Sequence, residues 1–441
     1  MRDRSSGTSH QQQFGIRANQ RSGDRRRVVV TGVGVISPLG GDAASTWRGL
    51  LAGECGVRPL VGAEFEGLPV RIAAPAAIDP ADRLPRTQAR TMGRSAQFAL
   101  LAAREAWADA GLAHSAMRDG ELDAKRVGVS MGTIIGGAPV LVAADQVLSQ
   151  RGARFVSPHT APMTVPNGAA AQIAIDLGIR GEARTVVAGC ASGTEAIGQA
   201  IDRIRHGHLD VVLAGGTEAV ITPVVLAAFA SMRALSLGED GPLGASRPFD
   251  KNRDGFVVGE GAGLLVLEDE EHALARGARI YCEAAGWGLS ADAHHMVAPR
   301  PDGEGIVDAI AKALADAGAE PGDVVHVNAH ATATPNGDAA EAVALHAVFG
   351  AGIGDVAVTA PKGALGHMQG AGGAVEAIAT VLTLHHGLIP PTVGCDNPDD
   401  EIGLDVVVGA PRPLSRGGDV ALSNSYGFGG HNAVLAFRRT G

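Results

Sequence analysis

Cysteine is scarce. The four present, Cys55, Cys190, Cys282 and Cys395, lie far apart and form no C-x-x-C pair. A disulfide framework and a zinc site are therefore not expected, and a reducing compartment fits best. Basic charge is in deficit: 37 Lys and Arg against 47 Asp and Glu leave a net charge of −10, so nothing favours nucleic acid as a partner. No apolar run reaches the ~18 residues of a membrane helix. The phosphate-loop pattern G-x-x-x-x-G-K-[ST] is absent. Gly32-x-Gly34 follows the first strand-like run, but Ser37 stands where a dinucleotide fingerprint needs its third glycine, and no acidic ribose partner is suitably spaced. His326 and His330 make an H-x-x-x-H spacing without the H-E-x-x-H helix of a zinc enzyme.

What the chain has in excess is glycine, 62 of 441 residues, about twice the usual share of roughly 7%. No Gly-X-Y period accompanies it, so the glycines mark tight turns and close backbone approaches rather than collagen. Hydrophobic residues at 45% and charged residues at 19% exclude a disordered chain. At ~150 residues per domain the length suggests about three domains or fewer large ones, with core enough to fold without staples. Residues 1–27, polar and rich in Arg, Ser and Gln, lack an apolar signal core and read as a disordered leader.

Beyond the leader, short β-rich apolar runs alternate with helical patterns. Strands are expected at 28–35, 126–130, 185–189, 211–215, 263–267, 324–329, 356–360, 420–424 and 433–437. Such runs belong to sheets covered by helices on both faces, an α/β protein. One helix is expected from Thr87 to Ala110, where apolar residues step by three or four. Arg86, Arg90 and Arg94 recur every four residues at its start and define one basic helical face. A repeat is also visible. Cys190-Ala-Ser-Gly opens an apolar helix closed by His206-Gly207, and Gly370-Ala-Gly-Gly opens another of equal span closed by His386-Gly387. Each closing glycine suits a left-handed C-cap. Two similar halves follow, 28–274 and 275–441, with equivalent helices paired across a pseudo-twofold.

Three positions carry reactive side chains beside small residues. Cys190 stands between a strand and a helix start, where free backbone N–H groups and the helix dipole would favour thiolate and make it a nucleophile near neutral pH. His330 ends a strand, and His367 sits in a glycine-rich loop before a helix. A cysteine with histidines drives acyl transfer through thioesters.

Gly189-Cys190-Ala-Ser-Gly193, Asn328-Ala-His330-Ala-Thr332-Ala-Thr334-Pro335-x-x-Asp338, Lys362-x-x-x-Gly-His367 and Asn424-Ser-Tyr-Gly-Phe428-Gly-Gly-His-Asn432 occur in that order. They resemble the active-site motifs of type II elongating β-ketoacyl-acyl-carrier-protein synthases, over about Val28 to Arg438. Initiating synthases would have Asn in place of His367, and true thiolases a second cysteine in a C-terminal glycine-rich motif, where Cys395 is not.

The resemblance implies the thiolase fold: duplicated βαβαβαββ halves in a five-layer αβαβα sandwich. It implies that Cys190 takes an acyl chain from an acyl carrier protein, and that malonyl carrier protein then loses carbon dioxide and attacks it. His330 and His367 would stabilise the enolate, and the backbone N–H groups of Cys190 and Phe428 would form the oxyanion hole. Lys362 with Glu376 would hold the His367 loop. Phe428, between Gly427 and Gly429, would act as a gate, with Tyr426 replacing the commoner Phe. Val297 and Ile134 would line the acyl tunnel. Thr332 and Thr334 join Arg86, Arg90 and Arg94 as the expected substrate- and carrier-binding set, the arginines steering an acidic carrier. Asn328, Glu376 and Ser423 resemble residues around a monovalent cation. A cytoplasmic homodimer without organic cofactor is expected. A type II polyketide ketosynthase subunit and a non-catalytic chain-length-controlling partner are the alternatives, and the presence of Cys190, His330, His367 and Lys362 argues against the second.

Overall fold

Two sets of five strands share one design. The computed structural model describes residues 25–238 and 241–440. In the first half β1 (Val28–Ile36), β2 (Val127–Gly132), β3 (Glu182–Val186), β4 (Val211–Glu218) and β5 (Gly261–Asp269) lie in the order β3-β2-β4-β5-β1. In the second, β6 (Cys282–Ala291), β7 (Val324–Asn328), β8 (Ala357–Thr359), β9 (Val420–Gly427) and β10 (His431–Arg438) lie in the order β8-β7-β9-β10-β6. In both sets the first strand runs antiparallel to the fifth and the fifth to the fourth, while the other neighbours are parallel. Identical order and identical pairing sense are the duplication expected from the paired helix lengths. The sets meet where β1 pairs with β6 at Val29–Glu283 and Val30–Cys282.

Helices complete five layers. α1 (Arg94–Asp109) covers the outer face of the first set, and α3 (Glu304–Ala317) and α4 (Pro335–Phe349) cover that of the second. Between the two strand sets lie α2 (Ser192–Arg205) and α5 (Gly372–His386), with Ile197, Ile201 and Ile204 of one sharing a core with Val375, Ile378 and Val381 of the other. α5 is buried all round from Gly372 to Leu384, as a helix with no polar stripe must be. Gly207 and Gly387, after these two helices, have φ of +70° and +66°, the left-handed caps the sequence called for.

The Gly32-x-Gly34 pattern has its explanation in this packing. A Cβ on Gly34 would stand 2.0 Å from the Ala102 carbonyl oxygen of α1, and one on Gly32 2.2 Å from that of Ala106. β6 repeats the device: a Cβ on Gly288 would stand 2.2 Å from the Ala309 carbonyl oxygen of α3, and one on Gly286 2.6 Å from that of Ala313. Helix and sheet touch where no side chain intervenes.

Several expectations need correction. The helix expected over 87–110 is two, Arg86–Ala89 and α1, broken at residues 90–93, so Arg86, Arg90 and Arg94 share no face. β6 went unanticipated. The strand expected at 185–189 ends at Val186, and the chain then bends towards Cys190. Of the expected leader, residues 1–24 lie outside the described residues. Arg25, Arg26 and Arg27, counted with it, are paired to the body through Asp316, Asp210 and Glu283.

Candidate functional site

The bend before α2 is tied by one side chain: the Ser192 hydroxyl accepts from the Ala188 N–H at 2.9 Å and donates to the Gly189 carbonyl at 2.6 Å. Gly189 itself sits at φ +55°. A Cβ there would meet the Phe428 nitrogen at 3.1 Å, and one on Gly427 would meet the Cys190 nitrogen at 2.9 Å. Two bare glycines thus bring the β9–β10 turn against the bend, and the N–H groups of Phe428 and Cys190 both bear on the Cys190 sulfur.

His367 Nε2 lies 3.0 Å from Cys190 Sγ. The imidazole rings of His367 and His330 stand 5.5 Å apart and almost perpendicular. Backbone bonds fix the loop of His367, whose N–H donates to the Val257 carbonyl at 2.7 Å while its carbonyl accepts from Gly259 at 2.9 Å. The loop of His330 is fixed by two carboxylates on the first turns of α4. Glu341 accepts from the N–H groups of His330 and Ala331, at 3.0 and 2.8 Å, and Asp338 from those of Ala333 and Phe249. Thr334 caps α4 by accepting from the Gly337 N–H, and its hydroxyl meets that of Thr332 at 3.0 Å.

Behind the histidines Lys362 Nζ meets Glu376 Oε1 at 2.5 Å, both side chains 2% exposed. This is a buried pair, not a surface one, and its lysine acts on everything nearby. Burial first, and the Lys362 charge second, hold His330 and His367 well below the usual imidazole range, so both rings are neutral. Burial pushes the Cys190 thiol up to about 12, against the smaller opposite pulls of Lys362 and the two N–H groups. The expectation of a thiolate near neutral pH is therefore corrected: desolvation outweighs the helix terminus, and the free site holds a thiol beside a neutral imidazole.

These groups open onto a cavity of about 480 Å³ lined also by Val297, Thr332, Thr334, Tyr426 and Phe428. Phe428 packs its ring 6.4 Å from that of Phe229, and Gly429 beyond it has φ +86°. Tyr426 stands edge-on to His330, its hydroxyl kept protonated by burial and by Glu341. Ile134 does not line the cavity; its N–H donates to Glu218 Oε2 at 2.6 Å. The arginines are also elsewhere. Arg94 pairs with the buried Glu260 at 2.7 Å and with Asp79, whereas Arg86 and Arg90 are exposed.

On the face of β9 towards Glu376 are three buried oxygens without hydrogen-bond partners among the described residues: Asn328 Oδ1, Glu376 Oε2 and Ser423 Oγ. Asn424 points to the other face, where it donates to Glu341 Oε1 at 3.2 Å. Asn328 donates to the Glu376 carbonyl at 3.0 Å and stands beside Ser423 in the β7–β9 ladder. An all-oxygen set carrying one carboxylate fits a hard monovalent cation. The sequence reading gave no role to Asn424 or Asp338, quoted only within motifs, and missed Glu341. Asp338 and Glu341, three apart at the start of an otherwise apolar helix, were the available signal for the two carboxylates.

A doubled α/β body with a cysteine at the mouth of a central helix is the thiolase fold. Families of that fold divide by what surrounds the cysteine, and here both halves match family models, "Beta-ketoacyl synthase, N-terminal domain" over residues 25–273 and "C-terminal domain" over 281–396. The chain belongs to the β-ketoacyl synthase family. It is 44% identical over 417 residues, 94% of its length and 99% of the relative's, to 3-oxoacyl-[acyl-carrier-protein] synthase 2 of Synechocystis sp.. Among solved structures it resembles the ishigamide ketosynthase/chain length factor with a TM-score of 0.86 at 36% identity, over 95% of this chain and all of that one. It resembles equally a type II polyketide ketosynthase, AntDE, in complex with its acyl-carrier protein AntF, with a TM-score of 0.87 at 30% identity over 95% of this chain and all of that one.

Proposed function

We propose that this protein lengthens acyl chains in fatty-acid synthesis by decarboxylative condensation of malonyl-acyl carrier protein with an acyl group held on Cys190, giving a 3-oxoacyl-acyl carrier protein. The observation that carries the reading is the contact between Cys190 Sγ and His367 Nε2, with His330 beside them in the same cavity.

In the first step the sulfur attacks the carrier thioester. Its proton passes to His367 Nε2 and on to the departing carrier thiolate, because a lasting imidazolium is disfavoured by burial and by Lys362. The N–H groups of Cys190 and Phe428 face the charge that develops on the thioester oxygen. In the second step the malonyl carboxylate leaves as carbon dioxide and its electron pair moves onto the thioester enolate. Neutral His330 donates from Nε2 to that oxygen, and His367 does the same once its proton has moved from Nδ1 to Nε2, the tautomer opposite to the one that accepted from Cys190. The enolate carbon then attacks the acyl carbonyl, and the Cys190 sulfur departs as thiolate and takes up one proton from solvent, the proton that the overall condensation consumes.

Lys362 and Glu376 hold the His367 loop in place. A monovalent cation bound by the Asn328, Ser423 and Glu376 oxygens would supply a fixed charge behind that loop. Thr332 and Thr334, lining the cavity beyond His330, are suited to hydrogen-bond the carrier's pantetheine arm. Carrier protein is the partner this reading requires, and the solved relative bound to its own carrier supports it. The edge strand β3, with Val187 58% exposed beyond it, supports a homodimer joined at that edge. No helix among the described residues is long and apolar enough to cross a membrane.

The test is product analysis by mass spectrometry of purified protein with a ladder of acyl carrier proteins and malonyl carrier protein. Wild type should yield 3-oxoacyl products two carbons longer, and Cys190→Ala none. Elongation by Cys190→Ala, or none by wild type across the ladder, would overturn the reading.

A further inference from the structure

Gln369 is the one side chain at the thiol that the proposed chemistry leaves unused. It is 2% exposed, lines the cavity, and sets its amide oxygen 3.7 Å from Cys190 Sγ. Its backbone is in the left-handed region at φ +52°, an uncommon conformation for a residue with a side chain. The surroundings enforce it. His367 two residues earlier is bonded to the 257–259 segment, and Gly370 next to it is wedged against Glu218 and the Thr133 backbone. The amide is therefore delivered to the sulfur by the fold. Its Nε2 is buried without a hydrogen-bond partner among the described residues.

A buried amide that leaves a donor unmade carries a desolvation cost, which an apolar side chain of the same length would avoid. The nitrogen itself is closed off from the cavity, but a half-turn of the terminal amide exchanges nitrogen and oxygen and sets the donor beside Cys190 Sγ, where the oxygen now lies. An acyl chain on Cys190 brings its thioester oxygen to the backbone N–H pair, which is already supplied with donors. The next site for an oxygen is on the third carbon, that oxygen being four bonds from Sγ and so roughly 3–5 Å away at about 1.5 Å per bond. That is the range in which the Gln369 amide lies. The two imidazoles face the incoming malonyl unit in the proposed reaction, so they do not compete for it.

We propose that Gln369 is a specificity-determining residue whose amide nitrogen hydrogen-bonds an oxygen on the third carbon of the acyl chain, so that this protein accepts 3-hydroxy- and 3-oxoacyl chains alongside plain saturated ones. The inference rests on the reading of Cys190 as the acyl carrier. It adds a substrate class that the condensation alone does not require. Sites built to hydrogen-bond a substrate oxygen discriminate against the analogue lacking it far more sharply than apolar pockets discriminate by size.

The experiment compares loading of the intact protein by two N-acetylcysteamine thioesters, butanoyl and 3-hydroxybutanoyl, with the acyl adduct on Cys190 followed by intact mass and peptide mapping. The ratio of the 3-hydroxybutanoyl to the butanoyl rate should fall about tenfold or more in Gln369→Met, while the butanoyl rate stays within about threefold of wild type. Butanoyl loading reports a folded site, and Gln369→Leu serves as a second variant should the methionine variant be unstable. An unchanged ratio in either variant, or an equal fall with both thioesters, would overturn the proposal and leave Gln369 a structural residue. Failure of both thioesters to label Cys190 in wild type would instead overturn the acyl-cysteine reading beneath it.

Discussion

Lys362 and Glu376 form an ion pair 2.5 Å long inside the molecule, one member on a short turn before the His367 loop and the other on the central helix α5. Taking both charges out of water is costly, and only their proximity offsets it. Lys362→Met leaves Glu376 buried and alone, and should cost about 3–5 kcal/mol in urea unfolding. The double variant Lys362→Met/Glu376→Leu should recover most of that stability. Turnover should not recover with it, staying about 10²-fold down because the His367 loop loses its anchor. Recovery of both together would make the pair purely structural.

The Cys190 thiol, pushed up to about 12 by burial, sets a pH signature. Thiolate is the form that alkylates, and below its pKa its fraction rises tenfold per pH unit. Labelling of Cys190 by iodoacetamide should therefore climb by about that factor per unit from pH 7 to 9.5 without levelling. A plateau with a midpoint near or below pH 8 would mean that the helix terminus and the two N–H groups win over desolvation.

How far the site could be read from sequence follows from what kind of property each feature is. Cys190, His330 and His367 were legible because reactive side chains at strand and helix ends beside small residues are unusual locally, whereas Lys362 came only from the resemblance of its motif. The titration of Cys190 was not, since the groups that bury it, His367, Gln369 and Phe428, come from loops more than 170 residues away. The break at residues 90–93 was hidden because Met92 and Ala96 keep the helical spacing across it, and only tertiary contacts reveal that Met92 packs from a loop. β6 was missed because Gly286, Trp287 and Gly288 do not alternate as strand residues should, their glycines serving α3 instead.

The three arginines once assigned to a single face separate into two roles. Arg94 neutralises Glu260, whose side chain is 6% exposed, while itself keeping partial contact with water. Arg94→Ala should cost about 1–2 kcal/mol of stability, discounted from a fully buried pair for that exposure. Arg90 stands in solvent, and Arg90→Glu should leave stability within about 0.5 kcal/mol. If the exposed arginines steer an acidic carrier, Arg90→Glu should raise KM for carrier-linked substrates several-fold at low salt, an effect that disappears near 0.5 M salt as charges are screened over about 4 Å. A KM insensitive to both substitution and salt would place the carrier on another surface.

The glycine pairs of β1 and β6 give the sharpest test of the duplication. Gly34 and Gly288 hold equivalent places in the two strand sets, each against a helix carbonyl: Ala102 for one, Ala309 for the other. An added Cβ would lie 2.0 and 2.2 Å from those oxygens, distances at which backbone must move, because no flexible side chain stands in the way. Forcing α1 or α3 off its sheet would open the cores that hold Phe98 and Trp107 on one side and Ile306 and Ile310 on the other. Gly34→Ala and Gly288→Ala should each cost about 3 kcal/mol or more, at the upper end of overpacking in a filled core. The two losses should be similar, measured by urea unfolding or by soluble yield. Gly277→Ala, at a surface turn with nothing within 4 Å of the added Cβ, serves as the control for glycine loss alone, its φ of +67° confining the cost to about 1–2 kcal/mol of local backbone strain. Should Gly34→Ala and Gly288→Ala cost no more than that control, the close approach of helix to strand would not be what these glycines are for.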